Sequence, residues 1–194
     1  MIQAIVIMLI NILLTGINHQ GTNKNPLIII NTEMGNITIE LFAEKAPITV
    51  SNFLRYIDSS LFDNACFYRV VNADNQPKDS IRIAVIQGGR WQNEDKGFPP
   101  IRHETTKITG VLHKNGVISM ARSEPGTATS EFFICIGDQP ELDFGGRRNK
   151  DGQGFAAFGK VIKGWEVVER IYNIIVPGQY LEKKVVINNI SRVR

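Results

Sequence analysis

Histidine and cysteine are scarce in this chain, which has three histidines and two cysteines among 194 residues. The histidines, His19, His103 and His113, show no metal-ligand spacing, and none lies near paired cysteines or carboxylates. We therefore expect no metal site. Cys66 and Cys135 each lie inside an apolar run, which predicts two buried free thiols. A disulfide stays open as the alternative, because sequence spacing cannot show whether the two Cβ atoms approach.

Charged side chains are absent from Met1 to Asn23. Within this stretch, residues 4–14 form a compact apolar run of the length typical of the central region of a signal peptide. As a helix this run would reach only about 16 Å, about half of a bilayer core, so a transmembrane anchor is the less favoured interpretation. We expect residues 1–25 to be a signal-like segment and spacer of an exported protein of the periplasm or cell envelope. Whether the segment is cleaved stays open, and a cytoplasmic protein is the alternative.

A strong net charge and the common catalytic motifs are also missing. The formal charge of +3 is too small and too dispersed to indicate a nucleic-acid partner. The Gly-rich, basic segment 145–154 lacks the Gly-Lys-Ser/Thr ending of a phosphate-binding loop. No Gly-x-Ser-x-Gly elbow or Ser/His/Asp order supports a hydrolase. We expect no nucleic acid and no cofactor.

What the chain does contain is a series of short, strand-like apolar runs separated by Gly-rich turns. An apolar fraction of 43% with 21% charged residues is ordinary for a globular domain that buries a core. The runs predict strands over residues 27–32, 37–41, 66–71, 84–87, 117–121, 131–136, 156–162 and 185–190. Many short strands with few helices are typical of a closed barrel, so we expect residues 26–194 to form one barrel domain.

Two helices are predicted beside the strands. The first begins at Pro47 and carries apolar residues at i, i+3, i+4 and i+7, namely Val50, Phe53, Leu54 and Ile57. Its opposite face, with Asn52, Arg55 and Asp58, is expected in solvent. The second helix covers residues 165–172.

Several separated blocks of sequence occur together in one order. They are Phe-Tyr-Arg at 67–69, Val-Ile-Gln-Gly-Gly at 85–89, the long block 117–135, and Phe-Gly-Lys-Val at 158–161. Together they resemble the active-site signature of the cyclophilins, the peptidyl-prolyl cis/trans isomerases, and the resemblance covers roughly residues 26–194. It implies a mainly β fold, a closed eight-stranded antiparallel β-barrel capped by two α-helices.

The chemistry that the resemblance implies needs no nucleophile, metal or cofactor, because no covalent bond breaks. Rotation of the X–Pro amide has a barrier of roughly 18–20 kcal/mol that comes from resonance between the nitrogen and the carbonyl. An enzyme must hold the proline ring in an apolar pocket and stabilise the twisted amide, whose nitrogen has become a better hydrogen-bond acceptor. A guanidinium suits this task, because it is always charged and rich in donors.

The resemblance also assigns roles to individual residues. Arg69 falls at the catalytic arginine, and Gln87 at the glutamine that hydrogen-bonds the substrate backbone. The proline pocket is predicted from four apolar positions, with Phe133 as its floor and Leu142, Val85 and Phe155 as its walls. Met120 and Ala121 match the strand along which the substrate backbone lies.

Several features depart from the family pattern, among them one insertion and the substitutions at Ala84 and Glu131. Arg69 and Gln87 are farther apart than in the familiar cyclophilins, by an insertion of about ten residues within Asn72–Arg82. Ala84 stands where a pocket phenylalanine is expected, which removes contact of about 1–3 kcal/mol unless a residue of the insertion fills the gap. Glu131 stands where glutamine is usual, and we expect its carboxylate to pair with Arg69.

The sequence therefore predicts a bacterial-type, exported peptidyl-prolyl isomerase that acts on proline-containing polypeptides while they fold. The alternative is a proline-binding chaperone or scaffold with little or no turnover, favoured by Ala84, Glu131 and the insertion. Retention of both Arg69 and Gln87 favours the enzyme. A monomer is expected, because a closed barrel has no free sheet edge.

Overall fold

A computed structural model describes residues 25–91 and 97–193 of the chain. The predicted signal-like segment lies outside the described residues, apart from its last position. The strands are β1 Leu27–Thr32, β2 Gly35–Leu41, β3 Ala65–Val71, β4 Val85–Gly89, β5 Val117–Met120, β6 Phe132–Cys135, β7 Ala156–Lys163 and β8 Tyr180–Arg192. The helices are α1 Pro47–Asp58, α2 Thr106–Thr109 and α3 Trp165–Tyr172, with a 3-10 turn at Pro140–Leu142.

The eight strands form a closed barrel in the order β1-β2-β7-β5-β6-β4-β3-β8. Every neighbouring pair is antiparallel. The fold class predicted from the sequence is confirmed. The predicted closing strand is too short, since β8 starts at Tyr180 and pairs with both β1 and β3.

The inward residues of the strands fill the barrel, together with one face of α1 and one face of α3. Phe53 of α1 lies among aromatic rings of the barrel, with ring centroids 5.5 Å from Phe132 and 5.1 Å from Phe158. Such tilted and edge-on contacts between aromatic rings are the favourable ones. The two predicted helices therefore close the same apolar core, whereas the four-residue α2 was not predicted because one turn has no measurable periodicity.

Asn52 corrects one expectation for α1, since it is buried and only 4% exposed, whereas Arg55 and Asp58 are exposed. Its Nδ2 donates to the carbonyl of Thr129 at 2.7 Å. A loop 77 residues further along the chain covers this part of the helix. The helical period identifies the apolar face but not which polar positions a distant loop will cover.

The two cysteines are free and buried, as the simpler of the two interpretations predicts. Strand β4 lies between the strands that carry them. Cys66 pairs with Gly89 and Cys135 with Val85, at opposite ends of β4. Four residues along a strand span roughly 13 Å, which is too far for a disulfide.

Candidate active site

Arg69 and Gln87 are direct partners across β3 and β4. The Nη1 of Arg69 donates to Oε1 of Gln87 at 2.9 Å. Gln87 is in turn the partner of Phe133 on β6. Directly opposed residues in antiparallel strands point to the same face of the sheet, so a guanidinium, an amide and an aromatic ring form one row across three strands. The structure thus brings together the two predicted catalytic residues and the predicted pocket floor.

An apolar cluster separate from the barrel core includes Phe133 and extends to one side of this row, and we call it the outer cluster. Its buried members are Val71, Val85, Phe133, Cys135 and Leu142, and its half-buried members are Ile83, Ala121 and Phe155. Three of the five buried members lie two residues from a member of the row, as side chains on one face of a sheet must. The ring of Phe155 meets that of Phe133 edge-on at 5.3 Å. Five of the residues that the sequence assigned to substrate binding lie here.

Two assigned residues lie elsewhere. Met120 is 1% exposed and belongs to the barrel core, so its side chain does not face a ligand on the outer surface. Ala84 precedes β4 and joins neither apolar cluster, while its backbone amide donates to Oε1 of Gln139 at 3.1 Å. Both corrections have one cause, because successive residues of a strand face opposite sides. The side chains of Ala121 and Val85 lie on the outer face of the barrel, whereas those of the adjacent residues Met120 and Ala84 do not.

Ile83 supplies apolar surface beside Ala84. It lies at the end of the insertion, two residues before Val85, and packs against the outer cluster. Gln76, a residue of the insertion that is only 1% exposed, connects the insertion to the segment before β4. The side chain of Gln76 donates to the carbonyl of Ile83 at 2.7 Å and accepts from its amide at 3.2 Å. Ile83, which directly follows the insertion, therefore supplies apolar contact next to the gap left at Ala84.

The expected pairing of Glu131 with Arg69 is wrong in the described part of the chain. Oε1 of Glu131 instead accepts from the backbone amide of Arg90 at 2.8 Å. A side chain at Gly89 would strike the Glu131 carboxylate, since an added Cβ would lie 2.5 Å from it. Burial raises the pKa of the Glu131 carboxyl. The strand register shifts between Phe67 and Arg69, and Tyr68, which lies between these two residues, is beside the Glu131 carboxylate.

Tyr68 is a site residue that sequence reasoning missed. Its hydroxyl accepts a hydrogen bond from Nε2 of Gln87 at 2.6 Å. Burial raises the pKa of Tyr68 far above its ordinary value, and the nearby charge of Glu131 raises it further. With its amide nitrogen bound to Tyr68, Gln87 must turn its oxygen toward Arg69. The orientation of the predicted peptide-binding amide is therefore fixed on both sides.

Gln179 and Tyr180 were also missed, because they lie 110 residues or more from Arg69 in the chain. Oε1 of Gln179 accepts from Nε of Arg69 at 3.0 Å. The guanidinium carbon of Arg69 lies 5.8 Å from the centre of the Tyr180 ring. Burial lowers the pKa of Arg69, yet an arginine with such partners stays protonated at neutral pH. Arg69 is thus a half-buried cation whose hydrogen-bond partners among the described residues are two neutral amides.

His113 forms a Ser-His-Asp arrangement beneath the outer cluster. Its Nδ1 lies 2.7 Å from Oδ1 of Asp143, and its Nε2 lies 2.9 Å from the hydroxyl of Ser119. His113 is 1% exposed and Ser119 is fully buried, so a substrate cannot reach the hydroxyl. The imidazole stacks on Phe133 with ring centres 5.9 Å apart. The arrangement supports the floor of the outer cluster and links β5 to the turn after Leu142.

Three further observations concern the remaining expectations. Nε2 of His103 lies 3.3 Å from the carbonyl of Gln153. Across residues 25–91 and 97–193, no three His, Cys, Asp or Glu side chains are grouped so as to hold a metal ion. Among the helices in those two ranges, none has the length and apolar character needed to cross a bilayer.

A guanidinium held beside an apolar surface on a barrel wall is the arrangement that the isomerisation of a prolyl peptide bond requires. The fold and the outer-face row together define a barrel isomerase of the cyclophilin class.

Comparisons with known proteins agree with this class. Residues 27–192 match the model of the cyclophilin type peptidyl-prolyl cis-trans isomerase/CLD family. The chain is 36% identical over 154 residues to a peptidyl-prolyl cis-trans isomerase of Acinetobacter baylyi, covering 77% of this chain and 73% of that protein. It is 32% identical over 152 residues to peptidyl-prolyl cis-trans isomerase B of Escherichia coli, covering 76% and 85%.

A crystal structure of a cyclophilin type peptidyl-prolyl cis-trans isomerase from Cryptosporidium parvum superimposes with a TM-score of 0.70 at 22% identity. The superposition covers 88% of this chain and 98% of that one, and shows the shared fold. The chain belongs to the cyclophilin-type peptidyl-prolyl cis-trans isomerase family. It is an enzyme of the isomerase class.

Proposed function

We propose that Arg69 is the electrostatic catalyst of X–Pro isomerisation, that Gln87 holds the substrate backbone, and that the outer cluster receives the proline ring. The row formed by Arg69, Gln87 and Phe133 across β3, β4 and β6 carries this proposal. It places a charged donor and a fixed amide next to an aromatic floor. The substrates are proline-containing polypeptides.

The proposed mechanism follows from what changes as the amide twists. In the planar ground state the nitrogen lone pair is delocalised, whereas at the top of the barrier it is localised and accepts hydrogen bonds. A guanidinium N–H beside the nitrogen stabilises the twisted state more than the planar one, which is what lowers a barrier. A gain of about 3 kcal/mol would accelerate rotation roughly a hundredfold. Seating the ring against Phe133 and excluding water contribute the rest.

The assignment of a peptide substrate has support from a relative. A cyclophilin type isomerase of Cryptosporidium parvum was crystallised in the presence of the dipeptide Ala-Pro, and it superimposes with a TM-score of 0.68 at 23% identity. The superposition covers 84% of this chain and 96% of that one. In the outer cluster the half-buried Ala121 and Phe155 border the buried ring of Phe133, and we expect the proline ring to be received there.

The test compares the purified full-length protein with Arg69→Ala and Arg69→Lys in a protease-coupled assay on an Ala-Pro-Phe anilide peptide. We expect kcat/KM to fall about a hundredfold in Arg69→Ala. Arg69→Lys should lose less of kcat/KM than Arg69→Ala but stay below the wild type, because an ammonium has the positive charge without the planar arrangement of N–H donors. Circular dichroism of each variant controls for folding.

A folded Arg69→Ala variant with unchanged kcat/KM would refute the assignment of Arg69. A wild-type protein that merely matches the uncatalysed rate would favour the alternative function, a chaperone or scaffold that binds proline segments without turnover.

For the cellular role, we propose a monomeric, bacterial-type enzyme that assists folding of exported proteins in the periplasm or cell envelope. The support is the uncharged segment Met1–Asn23 with its short apolar run. Expression of the full chain and of a version without residues 1–25, followed by cell fractionation, tests it. We expect the full chain to be exported and the version without residues 1–25 to stay in the cytoplasm. Finding both in the cytoplasm would contradict the proposal.

A further inference from the structure

Two glutamine oxygens hold the guanidinium of Arg69 from two sides. Nε and Nη2 both donate to Oε1 of Gln179, at 3.0 and 2.5 Å. Nη1 donates to Oε1 of Gln87 at 2.9 Å. Because bonds are made through all three nitrogens, the plane of the guanidinium cannot turn about its long side chain without breaking at least one of them.

The arrangement leaves donors for a substrate. A guanidinium has five N–H groups, and three of those on Arg69 have partners among the described residues. One N–H group on each terminal nitrogen is left over. Gln179 also holds the guanidinium without neutralising it, whereas a carboxylate in its place would form an ion pair and compete with the substrate for the positive charge.

Gln179 is itself held by the insertion. Its Nε2 donates to the carbonyl of Asn75 at 3.1 Å. The side chain of Asn75 donates to the carbonyls of Val70 and Gly178, at 2.9 and 3.0 Å. Val70 follows Arg69 and Gly178 precedes Gln179, and the Val70 amide donates to the Gln179 carbonyl at 2.8 Å. The insertion therefore ties together the two backbone segments whose side chains meet at the guanidinium.

We propose that Gln179 is a positioning residue for Arg69, and that the insertion Asn72–Arg82 fixes Gln179 through Asn75. The inference rests on the proposed role of Arg69 and deepens it. The ten or so extra residues are then a support for the catalytic arginine. The orientation of the guanidinium is set by residues from β3, β4, the insertion and the segment before β8 together.

The test replaces Gln179 by leucine in the full-length protein. We expect kcat on the Ala-Pro-Phe anilide to fall about tenfold with KM changed less than about twofold, because the guanidinium is still present but samples unproductive orientations. Asn75→Ala should cause a smaller loss of about threefold, because Gln179 can still reach Arg69. Glu182→Leu, at an exposed position near the start of β8, is the matched control and should leave kcat unchanged.

A spectroscopic measurement separates positioning from general damage. In 15N NMR spectra, the Nε–H signal of Arg69, assigned by its loss in Arg69→Lys, should be sharp and protected from exchange in the wild type. It should broaden or exchange rapidly in Gln179→Leu and stay sharp in Glu182→Leu. In the Arg69→Lys background, Gln179→Leu should change kcat less than about twofold, because the guanidinium that Gln179 orients is absent from lysine.

Two results would overturn the inference. One is a Gln179→Leu variant whose kcat and Arg69 Nε–H signal both match the wild type. The other is an equal loss of kcat in the wild-type and Arg69→Lys backgrounds, which would show that Gln179 acts on the fold alone. Should Arg69→Ala itself keep full activity, the proposed function fails, yet the Nε–H signal would still report whether Gln179 orients Arg69.

Discussion

The barrel interior and the outer cluster are built by the same strands with alternate residues. On β6, Phe132 and Ile134 belong to the interior, whereas Phe133 and Cys135 belong to the outer cluster. The interior is sealed by α1 and α3, while the outer cluster has three half-buried members at its edge. Adjacent positions of one strand thus face the barrel core on one side and the proposed proline site on the other, so neighbouring substitutions should have separable effects.

Truncation of two neighbouring phenylalanines, Phe132 and Phe133, tests whether the two faces of β6 have different roles. Phe132 is fully buried and meets Phe53 and Phe67 edge-on. We expect Phe132→Ala to lower the free energy of unfolding by about 3–5 kcal/mol. Phe133→Ala should cost less, because water can enter the opened site, and should reduce kcat/KM more than tenfold through loss of the pocket floor.

Urea denaturation and the isomerase assay on both variants provide the measurements. The comparison fails if Phe133→Ala destabilises the protein more than Phe132→Ala does. It fails equally if a folded Phe132→Ala protein loses activity as strongly as Phe133→Ala.

Met120, the last residue of β5, and Ala121, which follows it, test the same difference between the two faces at a second strand. Met120→Ala should lower the free energy of unfolding by about 2–5 kcal/mol and leave kcat/KM of the folded protein within about twofold. Ala121→Leu should change stability by less than about 1 kcal/mol and raise KM, because its bulk projects over the outer cluster. An unchanged KM in Ala121→Leu would show that the substrate does not pass this position.

Replacement of Glu131, which lies beside Tyr68 and Arg90, should change the free energy of unfolding by less than the substitutions above. Because burial raises its pKa in the folded state, the contribution of Glu131 to the free energy of unfolding falls as the pH rises above about 4.3, where the unfolded chain ionises, and levels off above the folded pKa. Glu131→Gln should match the wild type near pH 4 and have the higher free energy of unfolding at pH 7. Urea denaturation at both pH values measures this.

Glu182→Gln, at an exposed position of β8, is the control for Glu131→Gln. A Glu131→Gln variant that is less stable than the wild type at pH 7 would show that the bond to the Arg90 amide needs the charged carboxylate.

The sequence identified what depends on local pattern and on family motifs. Strand alternation and turn glycines located the eight strands, and the motif blocks located Arg69, Gln87 and Phe133, which the structure brings into one row. The same alternation could have corrected Met120, since it cannot share a face with Ala121. Met120 and Ala121 were matched to the family motif because they are adjacent in sequence, without regard to the face of the sheet on which each side chain lies.

The remaining features depend on contacts between distant segments. Gln179 reaches Arg69 across 110 residues, and Asn52 is buried by a carbonyl 77 residues away. Glu131 accepts from the backbone amide of Arg90, 41 residues earlier in the chain, and no composition signal marks this contact. In each case the polar partner is set by how segments dock, and a hydrogen-bonding side chain in the sequence does not reveal which of several distant groups it will meet.

Closure of the barrel has a consequence for how long a client chain stays bound. In the described fold, β1 pairs with β8, so the sheet ends that an extended polypeptide would join are occupied. A bound polypeptide therefore cannot add to the sheet as a ninth strand, and we expect side chains on the outer face to hold it. We expect such contacts to allow brief residence and rapid release of a bound polypeptide, with no pairing of β-strands between the enzyme and its substrate.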